Sequence, residues 1–349
     1  MKSQKYSIIL ILFILLLVTS CATAPKRTEA DIFTGFEGLS IEFGQNAPPP
    51  RVFERSPFPV LLKITNNGAQ SIKENKGILT IGREKDYIPT VKFERDTRIT
   101  IPSTSDKNID NQRNFNIDGK TLFNPKGDEL VVYFDATTGR LEAQSEQKTS
   151  VMTANICYPY QTSLSTTICI DPDAVGIRQG QKACQVHDLA FANGQGAPIS
   201  ITMIQEQIIP VIDENTVKPQ FLIFIENKGN GNPVNINSYG SVCTNTGAPS
   251  PDQRSNIWNV AYVNAFASGN EQLVCCPDKE GKCNEDSSNS NDWQAFVRFK
   301  DNKDFVRCIF RNGIPKSNAA FTSPLRVEIS YGYAQTVSVS FTIQKPLRY

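Results

Sequence analysis

Two stretches of the chain alternate between apolar and polar residues in the same way. In residues 158–170 apolar side chains recur at every second position, and residues 331–343 repeat this pattern 173 positions later. A period of two is typical of a β-strand with one buried face. Because a whole strand pattern returns, we predict that one structural unit occurs twice and that these stretches are the closing strands of two related domains.

Two further segments repeat in the same order. An opening strand around Ile41 is matched by one around Ile201, 160 positions later, and a strand ending in Asn66-Asn67-Gly68 is matched by one ending in Asn227-Lys228-Gly229, 161 positions later. Asn and Gly tolerate positive φ values, so we expect these strand ends to form turns that use them. The offset grows from 160 to 173 along the chain, so the second unit carries about a dozen more residues between its repeated segments, and we expect them in the polar stretch 284–291.

The remaining apolar runs predict short strands joined by polar turns. No amphipathic helix pattern interrupts them, although residues 257–266 could instead form a buried helix. The fold class that follows is all-β, with two tandem immunoglobulin-like antiparallel β-sandwich domains. Small residues and proline cluster at 192–198, which gives domain 1 at 38–195 and domain 2 at 196–349. The predicted strands are 77–81, 87–93 and 130–134 in domain 1 and 260–266, 272–276, 294–299 and 305–310 in domain 2, whereas residues 94–128 carry no assignment.

The beginning of the chain resembles a lipoprotein signal peptide. Lys2 and Lys5 precede an unbroken apolar run at 8–18, and Val18-Thr19-Ser20-Cys21 has the spacing of a prokaryotic lipobox. A run of this length spans about 16 Å as a helix, which is short of a bilayer core of about 30 Å. We predict a signal peptide at 1–20, a lipid on Cys21 and a polar tether at 21–37. An ordinary secretory signal with a coincidental cysteine is the alternative.

Eight cysteines remain once Cys21 carries the lipid, and an even number in an exported chain indicates disulfides. A zinc site at Cys275, Cys276, Cys283 and Cys308 is the competing interpretation, but these thiols form no C-x2-C pair and have no histidine nearby in the sequence. Cys157 with Cys169 across a hairpin is the main rival pairing. The favoured pairs are Cys169–Cys184, Cys275–Cys308, Cys276–Cys283 and Cys157–Cys243, of which the last would join the two domains.

Charge and histidine content narrow the possible functions. Lys plus Arg number 36 and Asp plus Glu number 35, so the net charge is too small to steer the chain toward nucleic acid. His187 is the only histidine. Because imidazole is the usual general base and transition-metal ligand, this composition argues against most hydrolytic mechanisms. We expect no cofactor, no metal and no catalytic residue.

Several segments together look like those of a known group of proteins. The strand ends at 64–68 and 225–229 are similar to the Asn-x-Gly ends of CARDB-type immunoglobulin-like domains. Cys157-Tyr158-Pro159-Tyr160, residues 175–188 with Cys184, residues 194–198 and residues 328–333 resemble uncharacterised archaeal cell-surface lipoproteins. The resemblance implies fold and location, and it transfers no functional residue.

Three small constellations could carry chemistry, and each has a simpler structural interpretation. Asp171-Pro172-Asp173 could chelate calcium but fits a turn after a strand. His187 beside Asp188 could belong to a dyad, yet no nucleophile stands at motif spacing. The tyrosines at 158, 160, 331 and 333 could form a sugar-binding platform, but their period-two placement favours core packing or a tyrosine-corner hydrogen bond.

These observations favour a lipid-anchored cell-surface protein that acts without catalysis in adhesion, envelope assembly or protein interaction. A carbohydrate-binding surface lipoprotein is the alternative, and it would need exposed aromatics such as Trp258 or Trp293. An enzyme that uses carboxylates is the third hypothesis, for which no motif is present. The expected partners are the membrane, through Cys21, and another envelope protein or polymer. Because the lipid would hold domain 1 near the bilayer, we expect domain 2 and its loop at 284–291 to face outward.

Overall fold

The computed structural model describes residue 28 and residues 32–102, 110–173, 176–178, 180–211, 215–244, 251–268, 271–277, 289 and 293–346. Within these residues the chain forms twenty β-strands and two short helices, α1 (Tyr239–Thr244) and α2 (Pro251–Ile257). The fold is all-β and built from immunoglobulin-like antiparallel β-sandwiches, as predicted.

The strands divide into two sets that follow the sequence repeat. The first set is β1 (Leu39–Phe43), β2 (Arg51–Phe53), β3 (Pro57–Asn66), β4 (Ile72–Arg83), β5 (Thr90–Phe93), β6 (Ile99–Thr100), β7 (Gln112–Ile117), β8 (Glu129–Thr137), β9 (Gln147–Ile170) and β10 (Leu189–Ala190). The second set is β11 (Ile199–Pro210), β12 (Thr216–Asn227), β13 (Asn232–Val234), β14 (Val260–Ala267), β15 (Glu271–Gln272), β16 (Val274–Pro277), β17 (Ala295–Arg298), β18 (Lys303–Ile309), β19 (Ile314–Pro315) and β20 (Phe321–Gln344).

Alternation in the sequence becomes alternation of burial. In β3 the even-numbered positions from Phe58 to Asn66 are all buried, while the odd-numbered positions are exposed or half-buried. Strands β1, β3, β8 and β5 form a four-stranded sheet, and strands β10, β11, β12, β18 and β16 form a second sheet, to which β19 adds at β12. Each of these sheets covers one side of a sandwich.

A third sheet of ten strands runs through the whole molecule. Its main path is β15-β14-β20-β9-β4-β7-β6, and it therefore contains strands from both repeats. β9 and β20 are antiparallel neighbours along all 24 residues of each strand, from Phe321 opposite Ile170 to Gln344 opposite Gln147. At a rise of about 3.3 Å per residue, such a ribbon is about 80 Å long, which is enough to serve two sandwiches.

The ribbon exchanges strand segments between the two repeats. The first part of β9 pairs with β4 up to Cys157, and the first part of β20 pairs with β14 up to Ser330. Beyond these points β20 still pairs with β13 of its own repeat at residues 332–334, and the later parts of both strands lie beside the other repeat. Phe341 of β20 packs against Phe58 of β3 with ring centroids 5.2 Å apart, so the last part of β20 lies in the first sandwich.

The domains predicted at 38–195 and 196–349 are thus joined by a shared sheet as well as by the linker at 192–198. Only the later parts of the echoing stretches 158–170 and 331–343 lie against the other repeat, as the contacts Thr162–Ile199 and Phe58–Phe341 show, whereas residues 158–160 and 331–333 contact their own repeat. The buried apolar residues of both repeats accordingly form one continuous core. A period-two pattern gives the buried face of a strand but not the identity of its neighbour.

Two segments without a clear sequence pattern are structured. The unassigned stretch 94–128 contains β6 and β7, and β7 pairs with β4 in the central sheet. The alternative of a buried helix at 257–266 is wrong for most of that range, because α2 ends at Ile257 and β14 begins at Val260. None of the helices in the described part of the chain is long and apolar enough to cross a membrane.

Candidate functional site at the junction of the repeats

Four tyrosines meet where the two repeats join. Tyr158, Tyr160, Tyr331 and Tyr333 are all buried, and Tyr160 lies opposite Tyr331 in the β9–β20 pairing as Tyr158 lies opposite Tyr333. Neighbouring ring centroids are 5.7 to 6.1 Å apart, in the range for favourable aromatic contact. The pair Pro159–Gly332 stands at the centre and relates the two sets by an approximate two-fold axis.

The tyrosine hydroxyls bind backbone groups in a symmetrical way. The Leu39 N–H donates to the Tyr158 hydroxyl at 3.1 Å, and the Ile199 N–H donates to the Tyr331 hydroxyl at 3.4 Å. Leu39 and Ile199 occupy equivalent positions 160 residues apart, at the starts of β1 and β11. Burial raises the pKa of both phenols well above the usual value, so each stays neutral.

The other two tyrosines hold the repeated Asn-x-Gly strand ends. The Gln70 N–H donates to the Tyr160 hydroxyl at 3.1 Å, and the Gly231 N–H donates to the Tyr333 hydroxyl at 2.9 Å. The Tyr333 hydroxyl in turn donates to Asn227 Oδ1 at 3.0 Å. Burial raises the pKa of Tyr333 to about 12. These phenols are core hydrogen-bonding groups, as their period-two spacing indicated, and they leave no surface for a sugar platform.

The glycines of the strand ends serve a different purpose from the predicted one. Gly68 and Gly229 are not among the described residues with positive φ, so the expectation of left-handed turns there is wrong. A Cβ added to Gly68 would collide with the Tyr160 hydroxyl, and one added to Gly229 would collide with the Tyr333 hydroxyl. Glycine is needed because the tyrosines approach the backbone closely.

The chain enters the fold at this junction. The Gly35 N–H donates to the Asn193 carbonyl at 2.7 Å, and the Gly35 carbonyl accepts from the Gly196 N–H at 2.9 Å. Gly38 then accepts from the Asn67 N–H at 2.9 Å. The last residues of the predicted tether and the residues directly after it therefore lie between the repeats and not at the far end of the first. An outward orientation of domain 2 stays a prediction.

An open groove of about 1010 Å³ adjoins this segment. Its walls are residues 35–41, the loop before β8, the strand end at 228–230 and residues 335–337 of β20. The charged side chains in it are Lys120, Lys126, Lys228, Glu37 and Glu129.

Contacts hold several of these groove side chains in place. The Lys228 ammonium lies 4.5 Å from the Phe36 ring centroid, and the Glu37 carboxylate accepts from Asn67 Nδ2 at 2.9 Å. Lys120 Nζ donates to the Thr34 carbonyl at 3.2 Å. The groove is therefore a mixed-charge surface with one aromatic wall.

Three disulfides occur among the described residues. They join Cys157 to Cys243, Cys169 to Cys184 and Cys275 to Cys308, and each is a pairing favoured from the sequence. The rival pair Cys157–Cys169 is not formed. The Cys157–Cys243 bridge links β9 to α1 and so connects the two repeats across a sequence separation of 86. The fourth favoured pair, Cys276–Cys283, reaches a residue outside the described part.

The polar constellations named from the sequence lie away from the groove. Lys182 Nζ pairs with Asp171 at 2.5 Å and with Asp173 at 3.2 Å, and Asp173 N–H donates to Asp171 Oδ1, which makes this segment an ion-paired turn. His187 is exposed, and its Nδ1 lies 3.0 Å from the Gln185 carbonyl. No group of three or more His, Cys, Asp or Glu in the described ranges is placed to hold a metal ion.

The tryptophans do not form a binding platform at the groove. Trp258 and Trp293 are half-buried, and the Arg311 guanidinium lies 4.9 Å from the Trp293 ring centroid. Neither tryptophan lines the groove. Cys21 and the loop at 284–291, apart from Asn289, lie outside the described residues, so lipidation and a partner contact through that loop stay predictions.

One acidic side chain that sequence reasoning did not single out is unusual. Glu206 of β11 lies near the end of β9, and burial raises its pKa to about 7, with the nearby Asp171 carboxylate adding to the shift and a backbone hydrogen bond from Cys169 opposing it. Its Oε1 is buried without a hydrogen-bond partner among the described residues. No sequence signal marks it, because its burial depends on the strand exchange that brings β9 beside β11.

No protein-family model matches the chain, and no curated protein sequence matches it. Solved structures with partial likeness include the secreted serine protease VesC from Vibrio cholerae, with 12% identity and a TM-score of 0.20 over 84% of this chain and 50% of VesC. The C-terminal domain of the Streptococcus pyogenes antigen I/II-family protein AspA has 7% identity and a TM-score of 0.21, over 89% of this chain and 100% of that one. The B domain of a biofilm-associated protein has 8% identity and a TM-score of 0.20, over 87% of this chain and 73% of that one.

Proposed function

We propose that the protein is a lipid-anchored, non-enzymatic cell-surface module that holds a rigid pair of sandwiches at the membrane for contact with an envelope protein or polymer. The observation that carries the proposal is the place where the chain enters the fold. Cys21 stands thirteen positions before Thr34, so a lipid there would keep the junction within at most about 45 Å of the bilayer. Both repeats would then be held close to the surface.

The covalent chemistry of the chain supports an exterior location. Three disulfides within the described residues are typical of proteins that fold in an oxidising compartment. The Cys157–Cys243 bridge and the β9–β20 ribbon both connect the two repeats. Such connections suit a surface protein that must stay intact under mechanical force. An archaeal source stays a prediction from the resemblance.

The groove supports a binding role more than a catalytic one. Its ionisable side chains are three lysines and two glutamates, and its lining contains neither histidine nor cysteine. The one histidine of the chain is exposed elsewhere and contacts a backbone carbonyl. The lining of the described groove therefore lacks the imidazole and thiol groups that most often serve as general base and nucleophile in hydrolytic catalysis.

The anchor is tested by following the protein in membrane fractions. We expect a Cys21→Ser variant to move from the membrane fraction to the soluble fraction, and the N-terminal peptide of the natural protein to carry the mass of a lipid. Thr19→Ser is the matched control, because it keeps the small residue that a lipobox needs. A Cys21→Ser variant that stays fully membrane-bound would contradict the anchor.

The partner is tested by photo-crosslinking on intact cells. A photoreactive residue at Asn230 of the groove or at Asn289 of the second-repeat loop is expected to capture a defined envelope macromolecule. The same group at Tyr133, half-exposed on β8, is the control. Capture at neither test position, or turnover of an envelope polymer by the purified protein, would overturn the binding role.

A further inference from the structure

The loop between β7 and β8, part of which lines the groove, carries two exposed apolar side chains, one of which is the most exposed large apolar side chain among the described residues. Phe123 is 100% exposed and Leu122 is 48% exposed, side by side at the tip of the loop. Complete exposure of an aromatic ring is costly in water unless something covers it. We name residues 119–127 the β7–β8 loop.

Hydrogen bonds hold this loop in a fixed shape. The Lys120 N–H donates to the Gly68 carbonyl at 2.8 Å, and the Gly127 N–H donates to the Asn124 carbonyl at 3.1 Å. Asn124 Nδ2 closes the loop by donating to the Gly127 carbonyl at 2.6 Å. The tip is therefore presented as a rigid wedge, so little conformational entropy is lost when it is buried in a partner.

The charges around the tip favour a negatively charged surface. Lys126 is exposed and makes no ion pair with any described residue. The acidic side chains at the base of the loop are already engaged: Asp118 pairs with Lys73, and Asp128 pairs with Arg98 at 3.4 Å. An apolar tip beside an unpaired lysine is the pattern by which a peripheral protein enters the interface of an anionic bilayer.

The loop also touches the segment through which a lipid anchor would be attached. Lys120 Nζ donates to the Thr34 carbonyl at 3.2 Å, and Thr34 lies thirteen positions after Cys21. A lipid on Cys21 would thus bring the bilayer to this side of the molecule. Ile177 is 78% exposed as well, but it lies past the end of β9, next to Arg178, whose guanidinium donates to the Asn318 carbonyl, and it does not line the groove.

We propose that the β7–β8 loop is a second membrane contact, in which Leu122 and Phe123 insert into the bilayer interface while Lys126 meets anionic lipid headgroups. The contact would set the orientation of the molecule, with the junction toward the membrane and the ends of both sandwiches free for partners. This inference rests on the proposed function for that orientation, whereas the loop itself can be tested without the lipid.

The test uses the chain from residue 22 onward, which retains every described residue and lacks the lipid. Phe123→Trp reports on the loop, Ile177→Trp is the control, and the protein without either change gives the background from Trp258 and Trp293. With vesicles of phosphatidylcholine and phosphatidylglycerol in equal parts, we expect the emission of the Phe123→Trp variant to shift to the blue and to be quenched by brominated acyl chains. The Ile177→Trp signal should not change.

Binding to the same vesicles measures how much each side chain contributes to the affinity for the membrane. The double variant Leu122→Ala, Phe123→Ala should bind at least about tenfold more weakly, because the inserted apolar area is removed. Lys126→Gln should weaken binding about fivefold, and only when phosphatidylglycerol is present. Ile177→Ala should bind like the unchanged protein.

Two outcomes would overturn the proposal. One is emission from the Phe123→Trp variant that vesicles neither shift nor quench, which would leave a protein partner as the occupant of the tip. The other is an equal loss of binding in the Ile177→Ala control. Since no lipidated cysteine is present in this experiment, its failure would not bear on the anchor at Cys21, which is judged by membrane partitioning.

Discussion

Each Asn-x-Gly strand end is matched to a tyrosine from the central ribbon. Asn66 Nδ2 donates to the Gln70 carbonyl at 2.8 Å, and Asn227 Nδ2 donates to the Gly231 carbonyl at 2.9 Å, so both asparagines close the same turn. The tyrosine hydroxyl then fills the space that a side chain on the glycine would occupy. Asparagine, glycine and tyrosine therefore recur together because each supplies one part of a single buried contact.

Loss of one such hydroxyl should be costly. Tyr333→Phe removes the acceptor of the Gly231 N–H and the donor to Asn227 Oδ1, both in a buried site. We expect the free energy of unfolding to fall by about 1 to 3 kcal/mol, the usual effect of leaving buried polar groups unpaired. Urea unfolding measures it, with Tyr133→Phe on the half-exposed face of β8 as a control that should change little. Equal effects of the two substitutions would contradict the role of the junction hydroxyls.

Glu206 should make stability depend on pH in an unusual direction. Its pKa rises from 4.5 to about 7 on folding, mainly through burial. Between these values the folded protein keeps a proton on Glu206 that the unfolded chain has lost, so the contribution of Glu206 to stability is highest at low pH and falls as the pH rises toward 7. Glu206→Gln should remove this slope and be more stable than the natural protein above about pH 7. The measurement is urea unfolding across this range, and the exposed Glu42→Gln should keep the slope.

The strands show which features of the fold the sequence pattern can predict. Alternating burial in β3 and the repeated strand ends could be predicted because they depend on local residues alone. Strand β7 could not be predicted in this way, because its sequence, Gln112 to Ile117, is mostly polar and its position is set by pairing with β4. The length of β9 was also missed, since residues 147–157 are rich in Thr, Ser, Gln and Asn and become a strand through the neighbours on both sides.

The exchange of strand segments between the repeats is a feature that the repeat pattern in the sequence could not predict. The sequence shows that 158–170 and 331–343 are equivalent, and this equivalence is satisfied whether each stretch stays in its own sandwich or crosses to the other. The pairing of β9 with β20, in which Tyr160 lies opposite Tyr331 and Tyr158 lies opposite Tyr333, is what distinguishes the two arrangements. A symmetric repeat cannot by itself distinguish these two solutions, because the contacts made by equivalent residues are the same in both. The groove and the Glu206 environment were missed for the same reason.

The whole molecule should consequently behave as one folding unit. A chain ending at residue 195 would lack the part of β20 that carries Phe341 beside Phe58, and a chain starting at 196 would lack the part of β9 whose Thr162 hydroxyl donates to the Ile199 carbonyl at 2.6 Å. Each half alone would expose a row of unpaired backbone groups and a tyrosine-lined apolar face. Such edges lead to aggregation.

Expression of the two halves, 22–195 and 196–349, tests this view of the molecule. Produced separately, each should be insoluble or lack a cooperative unfolding transition. Produced together, they should co-purify as a one-to-one complex, because β9 and β20 still provide 24 residues of antiparallel pairing between them. A nick in the complete chain between residues 190 and 195 should likewise leave the fragments associated after the Cys157–Cys243 bridge is reduced, since the ribbon and the tyrosine cluster hold them without the disulfide. A cooperative transition in either isolated half would show that the sandwich closes without the exchanged strand, and would return the molecule to two independent domains.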